Sequence, residues 1–150
     1  NLTKALMLDG QSYVVLLFAL ALTPAICEEA LFRGFLFSGL LRAGPALALF
    51  ASSLLFGLAH GSIYRMLPTA TLGFIIGYTR WKTNSIVPGA IIHFLNNALA
   101  LTLLYYRPRV LESLLLADQI PLWIGGIAAV ILAGGIYLVR ERREPLPSEA

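Results

Sequence analysis

The chain is a succession of apolar runs, and four small polar clusters lie inside them: Glu28-Glu29 with Arg33, His60, His93, and Asn96-Asn97. A helix that crosses a bilayer needs about 20 predominantly apolar residues. In hydrocarbon every backbone polar group must be satisfied internally, which restricts spanning structures to helices and closed barrels. The runs lack the strand-like alternation of a membrane barrel, so the expected fold is an all-α, polytopic transmembrane bundle. Composition agrees, with 58% hydrophobic and 13% charged residues against about 45–50% and 25% in soluble domains. The mean hydropathy is +0.78.

Five spans and a short half-helix are expected along the chain. Ser12 to Cys27 forms the first span, with Pro24 placed to kink it just before the acidic pair. Leu31 to Leu41, with Gly34 and Gly39, reads as a half-helix turning back towards the surface. Pro45 to His60 is the second span, and Met66 to Tyr78 is a short third one, broken by Pro68, Gly73 and Gly77. Ile86 to Tyr106 is the fourth, with His93, Asn96 and Asn97 near its middle. Pro121 to Val139 is the fifth, its paired glycines suited to close helix packing. Residues 1–139 thus read as a single membrane core, and 140–150 as a charged, solvated tail. The start at Asn1 and the lack of a signal-peptide pattern suggest a segment of a longer chain.

The charge of +3 and pI near 9.3 do not indicate nucleic acid. Arg42, Arg65, Arg80 with Lys82, Arg107 with Arg109, and the tail arginines sit between apolar runs, as charges flanking membrane spans do. With the tail in the cytoplasm, Arg42, Arg80 and Lys82 fall inside and Arg65, Arg107 and Arg109 outside. Trp81, Trp123 and Tyr105-Tyr106 lie near span ends, where an interfacial aromatic belt belongs. The single cysteine, Cys27, excludes an internal disulfide and reads as a small hydrophobe. The expected setting is a multi-pass position in a prokaryotic cell membrane.

Ionisable residues in a span are expensive and tend to mark function. On a helix Glu29 and Arg33 are four apart, in the favourable order for an ion pair. Glu28 is rotated about 100° away and lacks that cation. The spacing therefore assigns Glu29 to structure and leaves Glu28 available for proton transfer. His93 and Asn97 share a helix face, with Asn96 beside it, and His60 closes the run SSLLFGLAH. Taken singly, each cluster also fits a bland role: a capped helix end, an interfacial imidazole, or a helix–helix hydrogen bond.

EEALFR fits E-E-x-x-x-R, Phe56 to His60 fits F-x-x-x-H, and His93 to Asn97 fits H-x-x-x-N, in that order on successive apolar segments. This resembles the CAAX-protease and bacteriocin-processing (Abi) family of intramembrane endopeptidases, which includes the Ras-converting endopeptidase. The match covers roughly Thr23 to Tyr106 without departure in the three motifs. The resemblance implies hydrolysis of membrane-associated peptides, such as CAAX-type C-termini or leader peptides. It implies Glu28 as the catalytic carboxylate, helped by His60, with His93 and Asn97 holding water or the oxyanion and Glu29 and Arg33 bracing the site. These residues are expected to converge on one water-accessible cavity.

Two mechanisms stay open. In one, Glu28 and His60 deprotonate water directly and His93 with Asn97 stabilises the oxyanion. In the other, Glu28, His60 and His93 hold Zn²⁺ as a three-ligand site, in keeping with the name metalloprotease often given to such enzymes. The helical zinc motif H-E-x-x-H is absent, and Asn97 favours the first. The alternatives from other classes are a non-catalytic membrane module, such as an immunity, partner-binding or transporter-fused domain, and a proton-coupled transporter. The latter should show two inverted halves, and the sequence has no such symmetry.

Overall fold

A computed structural model describes residues 10–106. The expected fifth span, the tail, Arg107, Arg109 and Trp123 lie outside the described residues. No strand occurs among the described residues, which form four helices: α1 (Tyr13–Ala43), α2 (Pro45–Ala59), α3 (Ile63–Thr83) and α4 (Val87–Tyr106). By length and apolar character α1 and α4 can cross a membrane. Phe35 is 76% and Leu67 72% exposed, whereas Glu29 and Arg33 are fully buried. That inversion of ordinary polarity is what a lipid-facing exterior produces.

The half-helix expected at Leu31 to Leu41 is not separate. It is the second half of α1, which runs unbroken for 31 residues. Gly34 and Gly39 lie inside the helix, and the chain reverses only at Gly44, whose φ of +114° favours glycine. Two stretches of α1, Phe18–Leu22 and Ala30–Leu36, wind wider with π-helical hydrogen bonding. The first directly precedes Thr23 and Pro24, where the proline ring removes an N–H from the ladder. The second begins directly after Glu29 and contains Arg33. Thr23 Oγ1 donates to the Phe18 carbonyl (2.9 Å) and Ser38 Oγ to that of Arg33 (3.2 Å).

The third segment is longer than expected and is not broken. α3 continues through Pro68 for 21 residues, and its glycines are points of helix contact. A Cβ on Gly73 would come within 3.1 Å of the Phe56 ring, and one on Gly77 within 2.9 Å of Leu49 Cδ1. On α2, a Cβ on Gly57 would meet the Met66 carbonyl at 2.7 Å. α2 and α3 pack along these small residues. α2 also lies against the second half of α1 through Phe37, Ala48 and Leu49. α4 packs on the first half of α1, where Tyr13 donates to or accepts from Thr102 Oγ1 at 2.7 Å and Leu16 meets Leu101.

α2 has only 15 residues, about 22 Å at roughly 1.5 Å per residue. The run at Pro45 to His60 is thus shorter than a full span.

Candidate active site

All four helices contribute to one buried polar centre. Glu29 and Arg33, four residues apart on α1, share an inner face, and Arg33 Nη1 donates to Glu29 Oε1 at 3.0 Å. Arg33 Nη2 donates to the Gly73 carbonyl of α3 at 2.8 Å. The guanidinium also lies over the Phe56 ring of α2, 4.5 Å from its centroid. One side chain thereby ties three helices, through a charge-assisted hydrogen bond and a desolvated cation–π contact. Gly73 permits this, since a Cβ there would lie 3.3 Å from Arg33 Nη2.

His93 enters from α4 and is 2% exposed. Its Nδ1 lies 3.1 Å from Glu29 Oε1 and its Nε2 3.9 Å from Glu28 Oε2. A carboxylate oxygen only accepts, so the short contact puts a proton on Nδ1. Glu28 is half-buried, its side chain 35% exposed. The 3.9 Å separation is ion-pair range and longer than a hydrogen bond. Glu28 Oε2 and Glu29 Oε2 are both buried with no hydrogen-bond partner among the described residues.

His60 ends α2, and its Nδ1 lies 2.8 Å from the Phe56 carbonyl of the preceding turn. A carbonyl likewise only accepts, so His60 carries its proton on Nδ1, which leaves the Nε2 lone pair available as a base. Phe56 is fully buried, and its ring lies edge-on to both imidazoles, 4.9 Å from His60 and 5.4 Å from His93.

Asn97 lies one turn beyond His93 on α4, half-buried. Its recorded side-chain hydrogen bond is from Asn96 Nδ2 at 3.4 Å, and Asn96 is exposed. The structure thus brings Glu28, Glu29, Arg33 and His93 into contact, reaches His60 through Phe56, and sets Asn97 at the margin. Two participants were not assigned a role from the sequence. The Gly73 carbonyl was hidden because a glycine in an apolar run resembles a break. Phe56 was visible only as the first letter of F-x-x-x-H.

A cavity of about 300 Å³ lies between α1 and α4, lined by Leu22, Ala25, Ile26, Glu29, Val87 and Ala90 among others. Of the expected site residues Glu29 alone lines it. Among the described residues no three of His, Cys, Asp and Glu are arranged to hold a metal ion. The Nδ1–H of each imidazole is held by a carbonyl or a carboxylate, which leaves each Nε2 as the free ring nitrogen, and Glu28, His60 and His93 do not form a metal-binding group among the described residues. No step below passes through a metal.

Residues 10–99 match the family described as type II CAAX prenyl endopeptidase, Rce1-like. The chain belongs to that family. As a member of the Rce1-like family with two apolar helices of spanning length, it is a membrane protein. It is also similar to the UPF0177 protein YxdF of Lactococcus lactis subsp. lactis (strain IL1403), with 34% identity over 77 residues. That similarity covers 51% of this chain and 42% of the relative, so the chain spans less than half the length of the curated relative it matches. No solved structure matches this Rce1-like chain.

Proposed function

We propose that this chain carries the reaction centre of a multi-pass intramembrane endopeptidase that cleaves membrane-associated peptides, CAAX-type C-termini or leader peptides, with water activated by Glu28 and His60. The observation that carries the reading is the His93 imidazole held between two carboxylates, Glu29 at 3.1 Å and Glu28 at 3.9 Å, inside an apolar bundle. A structural module has little physical reason to keep two acids against a buried imidazole there.

The division of labour follows from which groups are already occupied. Glu29 spends Oε1 on Arg33 and His93 and is a positioning residue. Glu28 lacks a hydrogen bond on Oε2 and reaches the surface, so it is the acid able to take a proton from water. The unprotonated Nε2 of His60 would be a second acceptor for the attacking water or, once protonated, the donor to the leaving amine in the later step. For His93 to stabilise an oxyanion it must donate from Nε2. With Nδ1–H already given to Glu29, that requires the doubly protonated ring, a cation between two carboxylates. Asn97, one turn on, accepts from Asn96 through Oδ1 and would add its Nδ2 as a carboxamide donor.

The test is cleavage of a membrane-anchored peptide by purified protein and by its Glu28→Gln variant. Loss of cleavage with unfolding unchanged supports the reading. A fully active variant would show that the hydrolysis, if any, does not use this centre.

A further inference from the structure

Between residues 10 and 106 the only acids are Glu28, half-buried, and Glu29, fully buried. Arg33 takes Glu29, which leaves Arg42, Arg65, Arg80 and Lys82 without an acidic partner among the described residues. Three of these four collect at one end, where α1 stops and α3 stops. Arg80 Nη2 donates to Ser38 Oγ of α1 at 3.4 Å, and Arg80 Nη1 donates to Asn84 Oδ1 at 2.7 Å. Asn84 is the left-handed residue that ends α3. Arg42 lies four residues after Ser38, one turn further along the same side of α1, and is exposed. Lys82 lies over the Trp81 ring, 4.3 Å from its centroid, and 5.5 Å from that of Tyr78.

Held by two neutral acceptors, the Arg80 guanidinium is fixed in place without an acidic partner among the described residues. With Arg42 at the same end of the bundle, it offers planar donors suited to a phosphate. Trp81, 39% exposed, supplies the amphipathic ring that belongs at headgroup depth.

We propose that Arg42, Arg80 and Lys82 form a binding site for the headgroup phosphate of an anionic phospholipid at the α1–α3 end of the bundle. The lipid's negative charge answers a group of cations that the described protein does not neutralise, and its acyl chains answer the exposed apolar flanks of Phe35 and Phe50. Near a charged membrane surface each cation strengthens such binding by about fivefold.

The experiment titrates phosphatidylglycerol and phosphatidylcholine against the full chain in mild detergent, read by native mass spectrometry. Variants are Arg80→Gln and the double variant Arg42→Gln/Lys82→Gln, whose altered side chains make no hydrogen bond in the structure. Preferential binding of phosphatidylglycerol, weakened at least about fivefold in the double variant, is expected. Equal binding of the two lipids, or an undiminished preference in the double variant, overturns the proposal. Millimolar inorganic phosphate should leave the lipid bound. If free phosphate displaces it stoichiometrically, the site is one for a soluble anion and the lipid assignment fails.

Discussion

Glu29 Oε1 serves two partners at once, Arg33 and His93, and this separates the consequences of changing the two neighbouring glutamates. Glu29→Gln removes the counter-charge of a fully buried guanidinium, and breaking one side of such a pair costs about 3 kcal/mol. Unfolding in detergent should register that loss. Glu28→Gln removes no hydrogen bond seen in the structure and should leave stability within about 0.5 kcal/mol. It should nonetheless lower cleavage at least about 100-fold, the range of general acid–base assistance. A stable, inactive Glu29 variant beside an active Glu28 variant would reverse the assignment. Phe56 invites a second test. Phe56→Leu keeps an apolar side chain but removes the face under Arg33 and the edges against both imidazoles, a loss of about 2 kcal/mol. Turnover should fall with it, because His60 and His93 lose a shared wall. Unchanged stability and unchanged turnover would reduce the ring to filler.

Among the helices, glycines that look alike in sequence behave differently. Gly57 faces Met66 and Ala70 of α3 with no room for a methyl, whereas a Cβ on Gly39 would meet nothing within 4 Å. Gly57→Ala should therefore destabilise by about 2 kcal/mol through overpacking. Gly39→Ala should be neutral or stabilising by up to about 1 kcal/mol, the helical preference for alanine. A thermal shift comparison of the two variants checks this, and equal shifts would mean that the α2–α3 seam is not tightly packed. The same contrast explains what the sequence could not reveal. The Glu29–Arg33 pair was legible because four-residue spacing is local geometry. The inward setting of His93 followed from an imidazole having no other tolerable place in a span. The continuity of α1 and α3 was not legible, because proline and glycine carry the same signal whether they end a helix, widen it or let a neighbour approach. Arg33 reaching the Gly73 carbonyl, forty residues away, left no trace in either segment alone.

At the scale of the molecule, the metal question has a direct readout. If Glu28 and His60 activate water unaided, cleavage should survive exhaustive chelation, and the purified protein should contain far less than one zinc per chain. His93→Ala should abolish cleavage without altering metal content. Stoichiometric zinc, lost together with activity in that variant, would show that the donors rearrange into a metal site when loaded.

On the proposed function, the brevity of α2 also bears on how hydrolysis in oil would obtain its second reactant. The helix starts just past Arg42 and spans about 22 Å, against a hydrocarbon thickness of about 30 Å. With Arg42 at the interface, the turn at His60, Gly61 and Ser62 would fall some 8 Å short of the opposite surface. Peptide groups at that depth require partners that lipid does not provide. Meeting that demand would draw the aqueous phase inward from one side as a local funnel ending at the His60 imidazole. The protein would then not need to carry water through the membrane to its reaction centre, because a helix that stops early moves the shoreline instead.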